Sequence, residues 1–220
     1  MKLKRFLIAF ATIAFTTSTF TALGQASGTH TNQTPEQIEA KYTKAIEGRT
    51  ADILKILALE DHAKAAKVHD TIIGQYRALK AWHDENDAKL KASRKDTNAV
   101  AAIRATLKTV HDKFLAELAI NLTPEQIDQV KDKMTYGKVQ FTFAGYRAAY
   151  PGLSEENKHA IMGMLKQARE EAMDGGSTEE KTAVFQRYKG KINNFLSKQG
   201  IHPEKPKAAD AAAINAPTKN

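Results

Sequence analysis

The 220-residue chain contains no cysteine, one tryptophan and only six prolines. Without a thiol there can be no disulfide, no thiolate nucleophile, no Cys-ligated metal and no acylated cysteine to anchor the chain to lipid. The fold must therefore rest on a packed core alone. That is feasible, because a domain of roughly 150 residues buries about two-thirds of its unfolded surface. Long apolar stretches are scarce as well: the one clear run, Phe6 to Phe15, is about half the ~20 residues of a membrane-spanning helix. Catalytic signatures are missing, with no Gly-x-Ser-x-Gly, no Walker loop and no dinucleotide fingerprint. Nor is there a run of five or more like charges, so the concentrated basic stripe of a nucleic-acid binder is lacking and no nucleic-acid partner is expected.

What is present begins with an export signal. Lys2, Lys4 and Arg5 form a basic start, the apolar run follows, and Gly24-Gln25-Ala26 offers small residues for cleavage. Residues 1–26 read as a signal peptide, with a mature chain that starts near Ser27 and is periplasmic or secreted. Removing the signal lowers the formal charge from +8 to +5. Residues 27–34 read as a flexible lead-in, 35–200 as one folded domain, and 201–220, rich in Ala, Lys and Pro, as a disordered tail. No integral membrane segment is expected after signal removal.

Helix punctuation dominates the domain. Thr34-Pro35-Glu36-Gln37 and Thr123-Pro124-Glu125-Gln126 each combine an N-cap Thr, a Pro at the first helical position and a Gln three residues after the cap. In the second, Leu122 and Ile127 are placed to staple the helix start. Ser154 and Ser177 open two more helices, and Gly175-Gly176 and Gly200 fit as stops. Between these signals apolar residues recur at three and four, as in Ile161, Leu165, Ala168 and Ala172. The expected fold is an all-α, single-domain bundle of about five to seven helices. Val139, Phe141 and Phe143 alternate like a strand, but Val139, Phe143, Tyr146 and Tyr150 keep helical spacing up to Pro151-Gly152, which favours a helix.

Few constellations suggest chemistry. His62, His69 and His83 share a heptad stripe with Tyr76, and residues seven apart on a helix lie about 10 Å apart, too far to share one zinc ion. Asp84-Glu85-Asn86-Asp87 lacks the alternating oxygens and central Gly of a calcium loop. No catalytic residue, metal site or cofactor is therefore assigned. The local excess is aromatic: Tyr136, Phe141, Phe143, Tyr146 and Tyr150 surround Arg147. Rings stack on sugar faces and a guanidinium can grip a carboxylate in bidentate fashion. Tyr136, Tyr146, Arg147 and Tyr150, with Trp82 and His83 as lesser candidates, form the expected ligand surface for an acidic oligosaccharide or a partner protein.

Four segments carry a family resemblance: Leu122 to Gln126, Met134 to Val139, Gln167 to Asp174 and Tyr188 to Asn194. With them the chain, from about Tyr42 to Gly200, resembles the exported bacterial family catalogued as domain of unknown function 3826. The resemblance implies a secreted protein of the kind often encoded beside polysaccharide-degradation genes, pectin loci included, and it transfers no functional residues. The Leu-Thr-x-x-Gln element also resembles small helical periplasmic chaperones of the Spy and CpxP type, at the level of fold only. The leading expectation is a non-catalytic accessory or binding protein for polysaccharide utilisation. One rival is a glycan-active lyase or hydrolase with His83 or His111 as base and Arg147 as clamp. The other is a Spy-like holdase with a basic, apolar-studded cradle.

Overall fold

The computed structural model describes residues 34–204. The expected signal peptide, nearly all of the expected lead-in and the residues beyond Glu204 lie outside the described residues. Seven helices account for almost everything in between: α1 (Pro35–Leu57), α2 (His62–Ala92), α3 (Thr97–Asn121), α4 (Pro124–Met134), α5 (Lys138–Ala149), α6 (Glu155–Met173) and α7 (Thr178–Lys198). The all-α expectation holds. None of these helices is long and apolar enough to cross a membrane.

Each expected start is a real cap. Thr34 and Thr123 both complete capping boxes with Gln37 and Gln126. Ser154 and Ser177 accept hydrogen bonds from Asn157 and Glu180 backbone N–H groups, with acids in the first turns where the helix end is positive. Leu122 is buried, and Ile127 packs against the same core, which is the staple geometry. The ambiguous segment is helix α5: in that register Val139, Thr142 and Tyr146 turn inward while Phe141 points out, 77% exposed. Order also runs past Gly200, because Ile201 packs against the α5–α7 core and the Glu204 N–H donates to the Ala149 carbonyl.

Two cores result. Helices α1 to α4 enclose Ile46, Ile53, Val68, Ile72, Phe114, Leu118 and Val130. Helices α5 to α7 enclose Val139, Ile161, Leu165, Phe185, Ile192 and Leu196. Helix α6 joins them: most of its apolar stripe serves the second core, but its last residue, Met173, is fully buried in the first. The loop from Asp174 to Ser177 then turns the chain into α7 beside α2. That loop positions the site described next.

Candidate functional site

Between α1, α2, the α4–α5 corner and the start of α7 lies a cleft of about 240 Å³. Its walls carry Tyr42, Tyr76 and Tyr136 together with Arg49, Lys80 and Lys181. A more open groove of about 390 Å³ shares Arg49 and Tyr136 with it and continues past Gln129 and Lys133. Tyr136 reaches this position through backbone strain. Its φ is +61° and that of Gly137 is +63°, so two successive left-handed residues turn α4 into α5 and push the Tyr136 ring outward, 42% exposed. Its hydroxyl meets Thr178 Oγ1 at 3.0 Å, at the first residue of α7.

The other tyrosines form a fixed wall. Tyr42 Oη donates to the Tyr76 carbonyl at 2.6 Å. Burial pushes the Tyr76 phenol up to about 12, so it stays protonated, and the Arg49 guanidinium lies 5.9 Å from its ring centroid. Arg49 is exposed and forms no ion pair among the described residues. Lys80 is paired with Asp84, the one acid lining the cleft. Lys181 is 4% exposed, donates to the Met173 carbonyl at 3.1 Å and is pushed down to about 8 by burial. Three cations against one acid, at the positive end of α7, make the cleft favourable to an anion.

A polar seam runs along α6. Arg169, 5% exposed at its side chain, binds Asp128 at 2.7 Å and Asp132 at 2.8 Å on α4, and also its neighbour Glu170. Glu170 in turn receives Lys131 at 2.8 Å. His111 Nδ1 lies 2.9 Å from Asp174 Oδ1, and its Nε2 lies 3.8 Å from Glu170. The Asp174 carbonyl accepts from His83 Nε2 at 2.7 Å, so one residue ties α2 and α3 to the α6–α7 loop. Burial opposes the charged form of His83, but the bonds to Asp174 and Asp87 outweigh it and raise its pKa.

The hydrogen bond from Asp174 raises the His111 pKa above its ordinary 6.5 against the opposing effect of burial, with Glu170 adding to the rise and Lys131 subtracting. A pKa raised on folding stabilises the protein fully below the unfolded value and loses that contribution as pH climbs through the folded value. Stability should therefore decline as pH rises from about 6 through neutrality. Thermal melts across that range should show a flatter profile for His111→Gln than for the wild type. Identical slopes would remove His111 from the pH response.

A family model described as "Protein of unknown function (DUF3826)" matches residues 43–211. That span runs from within α1 past the end of α7, most of the chain. The chain belongs to the DUF3826 family. No curated protein matches it.

The DUF3826 fold does not gather the expected ligand residues onto one surface. Tyr136 lines the charged cleft, whereas Tyr146 and Tyr150 line a separate, mostly apolar groove of about 560 Å³ beside Phe141 and Asn193. Tyr146 is buried, its hydroxyl bonded to Asn193 at 2.8 Å, and Tyr150 stacks on it with centroids 6.0 Å apart. Arg147 is exposed and lines neither cleft. Trp82 is core: its Nε1 donates to Thr106 at 2.8 Å, joining α2 to α3. His83 sits under the α6–α7 loop rather than beside a tyrosine cluster. Sequence reasoning did not single out Arg49 and Lys181. Lys181 did carry a signal, because it stands four residues before Phe185 on the stripe that continues through Tyr188 and Ile192, an apolar position occupied by a cation.

Proposed function

We propose that this DUF3826 protein is an exported, non-catalytic binding protein for an acidic oligosaccharide, held in the cleft of Tyr42, Tyr76 and Tyr136. The observation that carries the reading is Arg49: an exposed guanidinium without a carboxylate partner among the described residues, lining one cleft with three tyrosines and the N-terminus of α7. Rings offer apolar faces to sugar, and the guanidinium offers a bidentate grip on a uronate carboxylate. The basic start, apolar run and small residues within 1–26 support export, and the polysaccharide setting implied by the family resemblance supports sugar as the ligand. The holdase reading finds less support, because the exposed large hydrophobic residues Ile38, Ile56, Ile120, Tyr136 and Phe141 are spread over α1, α3, the α4–α5 corner and α5. The enzyme reading needs Arg147 beside a histidine. His111 lines a different cleft, with Arg104 and Arg187, and both its ring nitrogens face carboxylates.

Calorimetry with uronate oligomers tests the proposal. Binding should weaken as salt rises, and Arg49→Ala should cost about tenfold or more in affinity, the worth of one charge-assisted hydrogen bond. Neutral oligomers of equal length should bind more weakly. No heat with any uronate oligomer would sink the reading.

A further inference from the structure

The geometry points to a second site, independent of the cleft ligand: His83, Asp87 and Glu180 bind one divalent transition-metal ion of the zinc class. One nitrogen or carboxylate oxygen from each of the three residues lies within 4.8 Å of the others. His83 and Asp87 are four apart on α2 and so share a face, while Glu180 comes from the first turn of α7.

The hydrogen bonding around the imidazole makes this more than a chance meeting of polar groups. A backbone carbonyl only accepts, so the 2.7 Å bond to the Asp174 carbonyl places a hydrogen on His83 Nε2. Nδ1 is then the nitrogen left for a ligand, and it stands 2.9 Å from Asp87 Oδ1. A lone pair and a carboxylate oxygen at that distance need a cation between or beside them, either a proton or a metal ion. A second nitrogen bonded to a backbone carbonyl is the arrangement that orients metal-ligating histidines in general.

The neighbours hold this geometry. A Cβ on Gly176 would lie 2.8 Å from His83 Cγ, so only glycine lets the loop close onto the ring and fix its plane. The Gly176 N–H donates to Glu180 Oε2 at 2.6 Å, which draws that carboxylate toward the same place. The imidazole is 14% exposed and Asp87 52%, so the ring is held while the acids remain open to solvent. Ligands of a tetrahedral ion with bonds near 2.1 Å stand about 3.4 Å apart. Side-chain rotation of the exposed acids adjusts the present separations, 2.9 Å between His83 and Asp87 and up to 4.8 Å in the set, to that spacing. One imidazole with two carboxylates fits zinc, with water in the remaining position. Calcium requires six to eight oxygens, roughly, and magnesium a near-ideal octahedron.

The test is calorimetric titration of zinc chloride into the chelator-treated protein, alongside thermal melts with and without zinc. One ion per chain should bind, and zinc should raise the melting temperature. Asp87→Asn and Glu180→Gln should each weaken zinc binding about tenfold or more. Both replace exposed acids, so circular dichroism should show an intact fold. His69→Ala, a histidine paired elsewhere with Glu47 and Asp70, should leave the affinity unchanged. The assignment is overturned if zinc does not bind, if both acid variants bind it as tightly as the wild type, or if calcium binds here and zinc does not.

Discussion

Met173→Ala should destabilise the protein by about 2–5 kcal/mol, the usual cost of truncating a fully buried large apolar side chain. Met173 ends α6, a helix whose other apolar residues belong to the α5–α7 core, yet its own side chain lies wholly within the core of α1 to α4. The cavity left by alanine would open at the joint between the layers, where neither core can collapse into it without moving α6. Since a domain of this kind is stable by only about 5–15 kcal/mol, the loss is a large share of the total. Denaturant titration should show a lower midpoint with an unchanged slope. A loss below about 1 kcal/mol would mean that the joint repacks freely.

Arg169→Met should cost about 3 kcal/mol at neutral pH. Methionine fills much of the same volume, so packing is largely kept and the charge is lost. Asp128, Asp132 and Glu170 would then face one another with Lys131 as the remaining cation nearby. The carboxylates keep some solvent access, which places the cost at the low end for breaking a buried ion network. The penalty is electrostatic, so it should shrink as added salt screens the partly exposed carboxylates. Unfolding free energies of both proteins at low and high salt decide this. A gap of the same size at both would assign the effect to packing.

These two residues show how far the sequence reaches. The caps at Thr34, Thr123, Ser154 and Ser177 are written in local chemistry that a helix start needs wherever it occurs, so the element boundaries could be read directly. The site could not, because it depends on chain segments far apart. Arg49, Tyr76, Tyr136 and Lys181 come from four separate parts of the chain and meet only through the packing of α1, α2 and α7. The aromatic cluster misled for a related reason. Tyr136 and Tyr146 are close in sequence, but the left-handed corner at Tyr136-Gly137 stands between them, and α5 carries Tyr146 to the other core. Arg169 and Lys181, charged residues at apolar positions of otherwise regular stripes, were visible as exceptions to the pattern. Only the tertiary structure shows what they meet.

The placement of Met173 also bears on the order of assembly. A chain made from its N-terminus presents α1 to α4 well before α6 is complete, and packing in that first layer can begin between neighbours in sequence. Its core nevertheless lacks one fully buried side chain until residue 173 arrives. By then α5 and α6 exist and need only α7 to close their own core. The early layer therefore completes its core only once α6 docks, which couples the packing of the two halves.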